Sequence, residues 1–497
     1  MGIHWQRLLN SLLEVNMDYQ IVLDQSTSGT KLLLLNDGQI IKRYDKQHRQ
    51  IYPKLGWVEQ DPMEILENVE ELLATVLKEN HLSFKQIKSI SITNQRETIL
   101  AWDKQTGKPL YNAIVWQCNR STDICEELIQ LGKTELINKK TGLRIDPYFS
   151  GTKIRWLHDN VLEFREKSGT GNLAVGTIDS WLVWNLTERT TFATDASNAC
   201  RTLLFNINKM CWDMELIHLF GANIEDLPEV RSSDACFGFY QGIPILGVMA
   251  DSQAALLGEK CLKFGDVKIT MGTGCSILMQ LEENKNFNDN RILTTVAWKK
   301  SNQVFYAIEG IIRSCGDNIN WFTKDFNENK KLEKLCEEVL QTKSDERVYF
   351  IPALQGLASP YWDNTMTASF LNMKRTTTQM DCLRAILESM IFQIKAVLDV
   401  MEKVTNSEIQ QVHIDGGVIK NRTLMKLLAT LLNKPVILNQ VEELSALGVS
   451  SLACGEDQKN DLLKNEILPE SNSEEIDEKY KAWQQLMMNS ELLKSSM

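Results

Sequence analysis

Two segments far apart in the chain repeat one arrangement: an apolar run, a turn of small polar residues, and a second apolar run. In the first, YQIVL (19–23) and KLLLL (31–35) flank Asp24-Gln25-Ser26-Thr27-Ser28-Gly29-Thr30. In the second, VKITM (267–271) and CSILMQL (275–281) flank Gly272-Thr273-Gly274. Short apolar runs bounded by turn residues predict strands, and a tight turn between two of them predicts a hairpin. A duplicated unit of this kind points to two related domains. The length agrees, because 497 residues exceed one core at about 100–200 residues per domain. The boundary is expected near residues 258–266.

The remaining elements are mixed. Asn36-Asp37-Gly38 turns into a third run, QIIKRY, so the chain opens as an antiparallel meander. Asp61-Pro62 begins a helix, with an acid at the N-cap, proline at the first position, and Ile65, Val69, Leu72, Leu73 and Val76 at helical spacing. A strand at 88–94 leads into Gln95-Arg96-Glu97. The run IPILGVMA (243–250) reads as a buried strand that ends at Asp251, with SQAALLGE as a helix behind it. Residues 378–402 predict a long helix, 410–414 a strand, and Asp415-Gly416-Gly417 a sharp turn into the next helix. Ser471, with Glu474 three residues on, predicts the cap of a final amphipathic helix.

Composition excludes several function classes. A net charge of −11 is wrong for a protein that grips polyanionic nucleic acid. No apolar run reaches the length of about 18–20 residues that spans a bilayer, and the opening residues have no signal-peptide pattern, so a cytoplasmic protein is expected. The eleven cysteines occur singly with no C-x-x-C pair, which suits neither a zinc ribbon nor a disulfide framework.

The chemistry is expected at the turns. Small hydroxyl residues after a strand can wrap N–H groups around phosphate oxygens, and an acid at the start can hold Mg²⁺ through water. Asp24-Gln25-Ser26-Thr27 and Gly272-Thr273-Gly274 both have this form, although the same residues build ordinary turns. Asp251 is placed to project from a strand end or to cap the helix behind it. Arg96-Glu97 reads as a site pair or as a plain ion pair. Asp415-Gly416-Gly417 reads as a close approach to a ligand or as a structural left-handed turn. None of the six histidines has a partner pattern for nucleophilic catalysis, and His158 reads as a surface residue on a helix.

Together these segments resemble the FGGY carbohydrate kinases of the hexokinase–actin–Hsp70 superfamily, and above all their glycerol-phosphorylating members. The resemblance rests on GWVEQDP (56–62), ITNQRET (92–98), YNAIVWQ (111–117), IDPYFSGTKIRWL (145–157), GTIDSWLVW (176–184) and RTLLFN (201–206). It implies an α/β fold of two ribonuclease H-like domains with a central cleft. Behind an N-terminal extension, 1–18, would come a polyol-binding domain, 19–258, and an ATP-binding domain, 259–497. The implied reaction is transfer of phosphate from Mg-ATP to glycerol by a homo-oligomeric enzyme. Asp251 would be the general base, and Asp24 would organise Mg²⁺ through water. Arg96, Glu97 and Tyr148 would bond the polyol while Trp116 faces its carbon chain. Thr27, Ser28 and Gly29 would receive phosphates, and Thr273, Gly316, Asn320, Gly417 and Asn421 would line the ATP site.

The sequence departs from the family at several positions. Ser276 stands where an aromatic is usual and Ser252 where glutamine is usual, both expected in the polyol site. Asn320 replaces a usual glutamine, Arg313 a neutral residue, and Ala368 and Asn372 two signature glycines. Only GFYQGIP (238–244) remains of a Gly- and Arg-rich loop found in bacterial members. Two other readings follow from these departures. One is a kinase for a larger polyol or ketose; the other is a catalytically impaired nucleotide-binding regulator on the same fold.

Overall fold

The computed structural model describes residues 19–283, 287, 289–324, 332–342, 347–441, 443–454 and 464–494; the extension 1–18 lies outside them. The chain divides into two compact units. The first takes residues up to 258 with 298–304 and 444–460, and the second takes 259–297, 305–443 and the residues from 461 on. The sequence suggested one continuous second domain from 259. Instead the helix Leu444–Cys454 belongs to the first unit, because its glycine packs onto the helix Asp251–Gly258: a Cβ on Gly448 would overlap the Ala254 carbonyl oxygen.

A six-stranded sheet organises the first unit, built from β1 (Tyr19–Gln25), β2 (Gly29–Asn36), β3 (Gln39–Gln47), β4 (Ile87–Asn94), β5 (Cys236–Tyr240) and β6 (Ile243–Ala250), in the order β5-β6-β4-β1-β2-β3. The opening meander forms as its pattern requires, with β1 and β2 antiparallel. Strand β4 runs parallel to β1, and β6 parallel to β4. Gln25 and Ala250 both pair with Asn94, so the carboxyl ends of β1, β4 and β6 are level. That register delivers Asp24, Arg96-Glu97 and Asp251 to one edge, the usual place for a ligand in an α/β sheet. The helix Pro62–Glu79 is capped by Asp61, which accepts from Met63 N at 2.8 Å. It buries Ile65, Val69, Leu72, Leu73 and Val76 against Ile21, Leu23, Leu32 and Leu34 of the sheet. Each such side chain contributes about 2 kcal/mol by leaving water.

The second unit repeats the plan. Strands β7 (Asp266–Met271) and β8 (Cys275–Leu281) form its hairpin, β9 (Leu293–Lys300) and β10 (Gln303–Ile312) extend one side, and β11 (Gln411–Asp415), β12 (Val436–Asn439) and β13 (Lys464–Ile467) the other. Strand β11 is parallel to β7, as β4 is to β1, so the duplication extends beyond the hairpin. The long helix runs over Gln379–Thr405, and its Thr378–Asp381 capping box fixes the start.

Two boundaries differ from expectation. A 3₁₀ turn, Gly417–Lys420, separates the glycine turn from the helix Arg422–Leu432. The final helix begins at Glu474, whose N–H donates to Asn472 Oδ1 at 3.3 Å, so Ser471 is not its cap. Three acids, Glu474, Glu475 and Asp477, then meet the positive end of the helix dipole in the first turn. Among the described residues no helix is long and apolar enough to cross a membrane.

Candidate active site

The level strand ends gather the expected polyol residues in the first unit. Arg96, nearly buried, places Nε 3.4 Å from Asp251 Oδ1 and 3.9 Å from Glu97 Oε1. Its Nη2 lies 3.5 Å from the Tyr148 hydroxyl. The Trp116 and Tyr148 rings meet edge to face with centroids 5.5 Å apart. Asp251 opens its helix, and its Oδ1 also accepts from Ser252 N at 2.6 Å. Its Oδ2 has no partner among the described residues, and its side chain stays 38% exposed, so a proton acceptor faces outward from an otherwise buried cluster. Ser252 contributes this backbone contact.

Glu97 adopts φ +60°, a left-handed conformation that costs a side-chain-bearing residue on the order of 1 kcal/mol. Its carbonyl accepts from Ser150 Oγ at 2.9 Å, which holds the turn in place.

Next to this cluster is the first hairpin turn. The Thr27 carbonyl accepts from Gln60 Nε2 at 2.7 Å and from His48 Nε2 at 3.0 Å. Burial holds the His48 pKa below its usual value, so the ring is neutral near pH 7. Ser28 is exposed at the tip. Gly29 is required by packing, since a Cβ there would lie 2.7 Å from the Lys46 carbonyl oxygen, and its own carbonyl accepts from Ser26 N at 2.9 Å. Asp24 is buried; its Oδ2 accepts from Ser445 Oγ at 3.1 Å and lies 4.0 Å from Lys31 Nζ.

The second unit contains a cavity of about 320 Å³, and every nucleotide residue expected in this unit lines it: Thr273, Gly316, Asn320, Gly417 and Asn421. The floor is backbone. Gly316 N donates to Gly272 O at 2.9 Å, Cys315 N donates to Thr273 O at 2.8 Å, and a Cβ on Gly316 would lie 2.7 Å from Gly272 O. Gly416, at φ +99°, passes so close to Met271 that a side chain would overlap the Met271 carbonyl oxygen. Gly417 lines the cavity, and a Cβ there would meet nothing within 4 Å. Asn421 caps the next helix by accepting from Leu424 N at 3.0 Å, while its buried Nδ2 has no hydrogen-bond partner among the described residues. Beside this turn, burial raises the Asp415 pKa to about 6, opposed by Lys268.

The departures fall in several places. Ser276 sits on β8 between Thr270 and Ile311, its Oγ buried and without a hydrogen-bond partner among the described residues, and it is not among the cavity-lining residues. Asn372 has φ +59°, a conformation asparagine tolerates in place of glycine, and donates to the Arg347 carbonyl at 2.6 Å. Ala368 packs beside Phe350 and Ile386. Arg313 ties a loop by donating to Gln355 O at 3.2 Å and to Asn364 Oδ1 at 2.5 Å.

Sequence reasoning missed Arg201, whose Nε donates to Glu97 Oε1 at 2.6 Å, and Lys153, fully buried under the carbonyls of Tyr148 and Phe149 at 2.5 and 3.3 Å. Burial lowers the Lys153 pKa to about 8. It also missed Ser445, and the apolar cavity residues Ile319, Leu332, Leu387 and Leu424. Arg201 and Lys153 lie inside segments already quoted as motifs, which was the available signal.

Two sheets that each open on a hairpin, one unit carrying a cavity floored by glycine turns and the other an exposed carboxylate beside a buried arginine, are the organisation of an actin- and hexokinase-like phosphotransferase. Residues 19–258 match the N-terminal domain of the FGGY family of carbohydrate kinases and residues 267–455 its C-terminal domain, so the chain belongs to that family. It is 42% identical to glycerol kinase 1 of Thermotoga maritima over 88% of this chain and 90% of that protein. It is 41% identical to a glycerol kinase of Bacillus velezensis over 94% and 97%. The crystal structure of Plasmodium falciparum glycerol kinase with ADP superposes with a TM-score of 0.87 at 30% identity, covering 95% of this chain and 98% of that one. A xylulose kinase of Lactobacillus acidophilus, at 20% identity and TM-score 0.85, shares the fold.

Proposed function

We propose that this chain phosphorylates glycerol with ATP, forming sn-glycerol 3-phosphate. The observation that carries the reading is Asp251 held by Arg96 with one carboxylate oxygen open, beside Glu97, Tyr148 and Trp116. The full-length relatives named glycerol kinase support the choice of substrate. Arg96, Glu97 and Tyr148 bond the hydroxyls, and Trp116 covers the C–H face. Asp251 takes the proton from the attacking hydroxyl as its bond to the γ-phosphorus forms and the bond from that phosphorus to the ADP oxygen breaks, ADP leaving. Positioning and charge neutralisation dominate phosphoryl transfer; the base adds about 10²–10⁴-fold.

ATP fits the second unit's cavity. Ile319, Leu332 and Leu424 give a base an apolar wall, the glycine turns leave room for phosphates, and Asn421 Nδ2 is a buried donor awaiting an acceptor. In the first unit, the Thr27 and Ser28 hydroxyls on the hairpin turn suit phosphate oxygens. A single buried carboxylate, Asp24, suits a Mg²⁺ that arrives with the triphosphate and is held through water. When bound, Mg²⁺ neutralises charge on the transferring phosphoryl. ATP as donor fits action in the cytoplasm.

Ser276 and Ser252 favour a second reading, a kinase for a larger polyol or ketose. The impaired-regulator reading loses its support, since Asn372 keeps the left-handed backbone and Ala368 packs in an apolar cluster. ADP release measured with glycerol, erythritol, ribulose and xylulose separates these readings: glycerol should give the highest kcat/KM. Asp251→Asn keeps size and removes proton acceptance, so turnover should fall by about 10² or more while ATP binding persists. Near-normal turnover in that variant would remove Asp251 from the role of base.

A further inference from the structure

We propose that Arg201 is a positioning residue that sets polyol affinity by holding Glu97 away from Arg96. This rests on the reading of the polyol site given above. Arg201 is fully buried; its Nε donates to Glu97 Oε1 at 2.6 Å and its guanidinium lies over the Phe149 ring, 5.2 Å from the centroid. The same Glu97 oxygen is 3.9 Å from Arg96 Nε, while Arg96 Nε is 3.4 Å from Asp251 Oδ1. Two arginines therefore compete for one carboxylate, and the shorter, charge-assisted contact is the one to Arg201. With Glu97 engaged, Arg96 remains directed at Asp251 and Tyr148. Without Arg201, the nearby cations are Arg96, 3.9 Å from Glu97 Oε1, and the buried Lys153, and a shift of Glu97 onto Arg96 would draw both groups off the polyol.

The frame behind Arg201 is rigid. Arg201 N donates to Asn198 O at 3.0 Å. Asn198 and Asn94 exchange side-chain hydrogen bonds at 3.0 and 3.1 Å, and Asn94 precedes the Gln95-Arg96-Glu97 turn. Asp195 accepts from Ser197 N, Asn198 N, Asn198 Nδ2 and Ser233 Oγ at 2.7–3.0 Å. The segment carrying Arg201 is thus tied to the strand end carrying Glu97, and the pair is held from both sides.

Lysine at 201 tests geometry against charge, because it keeps the cation but loses the planar fork. In the full chain with saturating ATP, Arg201→Lys should raise glycerol KM about tenfold, with kcat within about twofold and ATP KM unchanged. Removing the charge with its partner keeps the core free of an unpaired ion. Arg201→Gln/Glu97→Gln should therefore fold, and its glycerol KM should match that of Glu97→Gln alone within about twofold, since Arg201 acts only through Glu97. Wild-type glycerol KM in Arg201→Lys, additive effects in the double variant, or ATP KM rising in step with glycerol KM would overturn the proposal. If the wild type turns over erythritol, ribulose or xylulose but not glycerol, the glycerol reading fails and the Arg201 series is read on that substrate. No turnover of any of the four overturns both.

Discussion

Trp116 Nε1 donates to Thr27 Oγ1 at 2.9 Å, so a residue proposed to receive phosphate also fixes the ring proposed to face the polyol. Both partners are half-buried, and the Thr27 backbone is pinned from behind by Gln60 and His48. The hydroxyl accepts from Trp116 and keeps its own proton to donate.

Thr27→Val keeps the shape and removes the acceptor, at a net cost of about 0.5–1.5 kcal/mol. Glycerol KM should rise about 2–10-fold, and Thr27→Ser should restore it. If the valine variant raises ATP KM alone, the Trp116 contact has no part in polyol binding.

Gly417 separates folding from nucleotide binding. Its Cβ direction is open and its backbone is not left-handed, so Gly417→Val should leave Tm within about 2 °C of wild type. Because Gly417 lines the cavity, the added side chain should narrow it, and ATP affinity measured by calorimetry should fall at least about tenfold. Unchanged affinity would mean that the nucleotide does not use this wall.

Asp179 offers a pH test outside the site. It is fully buried, accepts from Thr177 Oγ1 at 2.5 Å and Thr194 Oγ1 at 2.6 Å, and burial raises its pKa to about 6. An acid whose folded pKa exceeds its unfolded value gives stability below the unfolded pKa that is lost as pH rises through the folded one. Asp179 should therefore cost on the order of 2–3 kcal/mol between about pH 4 and pH 6, with no further change above. Denaturant titrations of wild type and Asp179→Asn from pH 4.5 to 7.5 should show the variant gaining relative stability across that window. Parallel curves would show that Asp179 does not titrate there.

Legibility in the sequence followed the range of the interactions. The two hairpins, β6 and the long helix were readable because their apolar patterns are local. The residues on the turns, Asp24, Arg96, Glu97 and Asp251, were readable as candidates, and the family motifs gave them roles. Arg201 and Lys153 were not, because an arginine or lysine in a sequence carries no mark of burial; the partner of Arg201, Glu97, comes from another part of the chain, and Lys153 folds back onto the Tyr148 carbonyl five residues before it. Ser445 was hidden by topology. Its helix returns to the first unit after six of the seven strands of the second sheet have been laid down, and nothing local in LSALGVSSLAC records that return. The final helix shows the opposite limit: Ser471 and Asn472 are both good caps, and the choice between adjacent residues is made by backbone geometry.

We propose that substrate choice turns on Ser276, where members of the family usually carry an aromatic ring. We expect the missing ring to leave the polyol carbon chain covered by Trp116 alone. A phenyl face against a small ligand is worth about 1–3 kcal/mol, so its loss should raise glycerol KM and relax the preference toward four-carbon polyols. Ser252 adds to this by standing where a longer amide is usual. On the proposed site, Arg96, Glu97, Tyr148 and Asp251 still define the reacting end, so glycerol should remain a substrate. Ser276→Phe forfeits no hydrogen bond, because Ser276 Oγ makes none among the described residues; the Oγ is buried, so an unchanged Tm is the check that the ring is accommodated. The variant should lower glycerol KM at least about fivefold and reduce kcat/KM for erythritol. If it neither tightens glycerol nor worsens erythritol use, Ser276 does not face the polyol, and another side chain supplies the apolar contact.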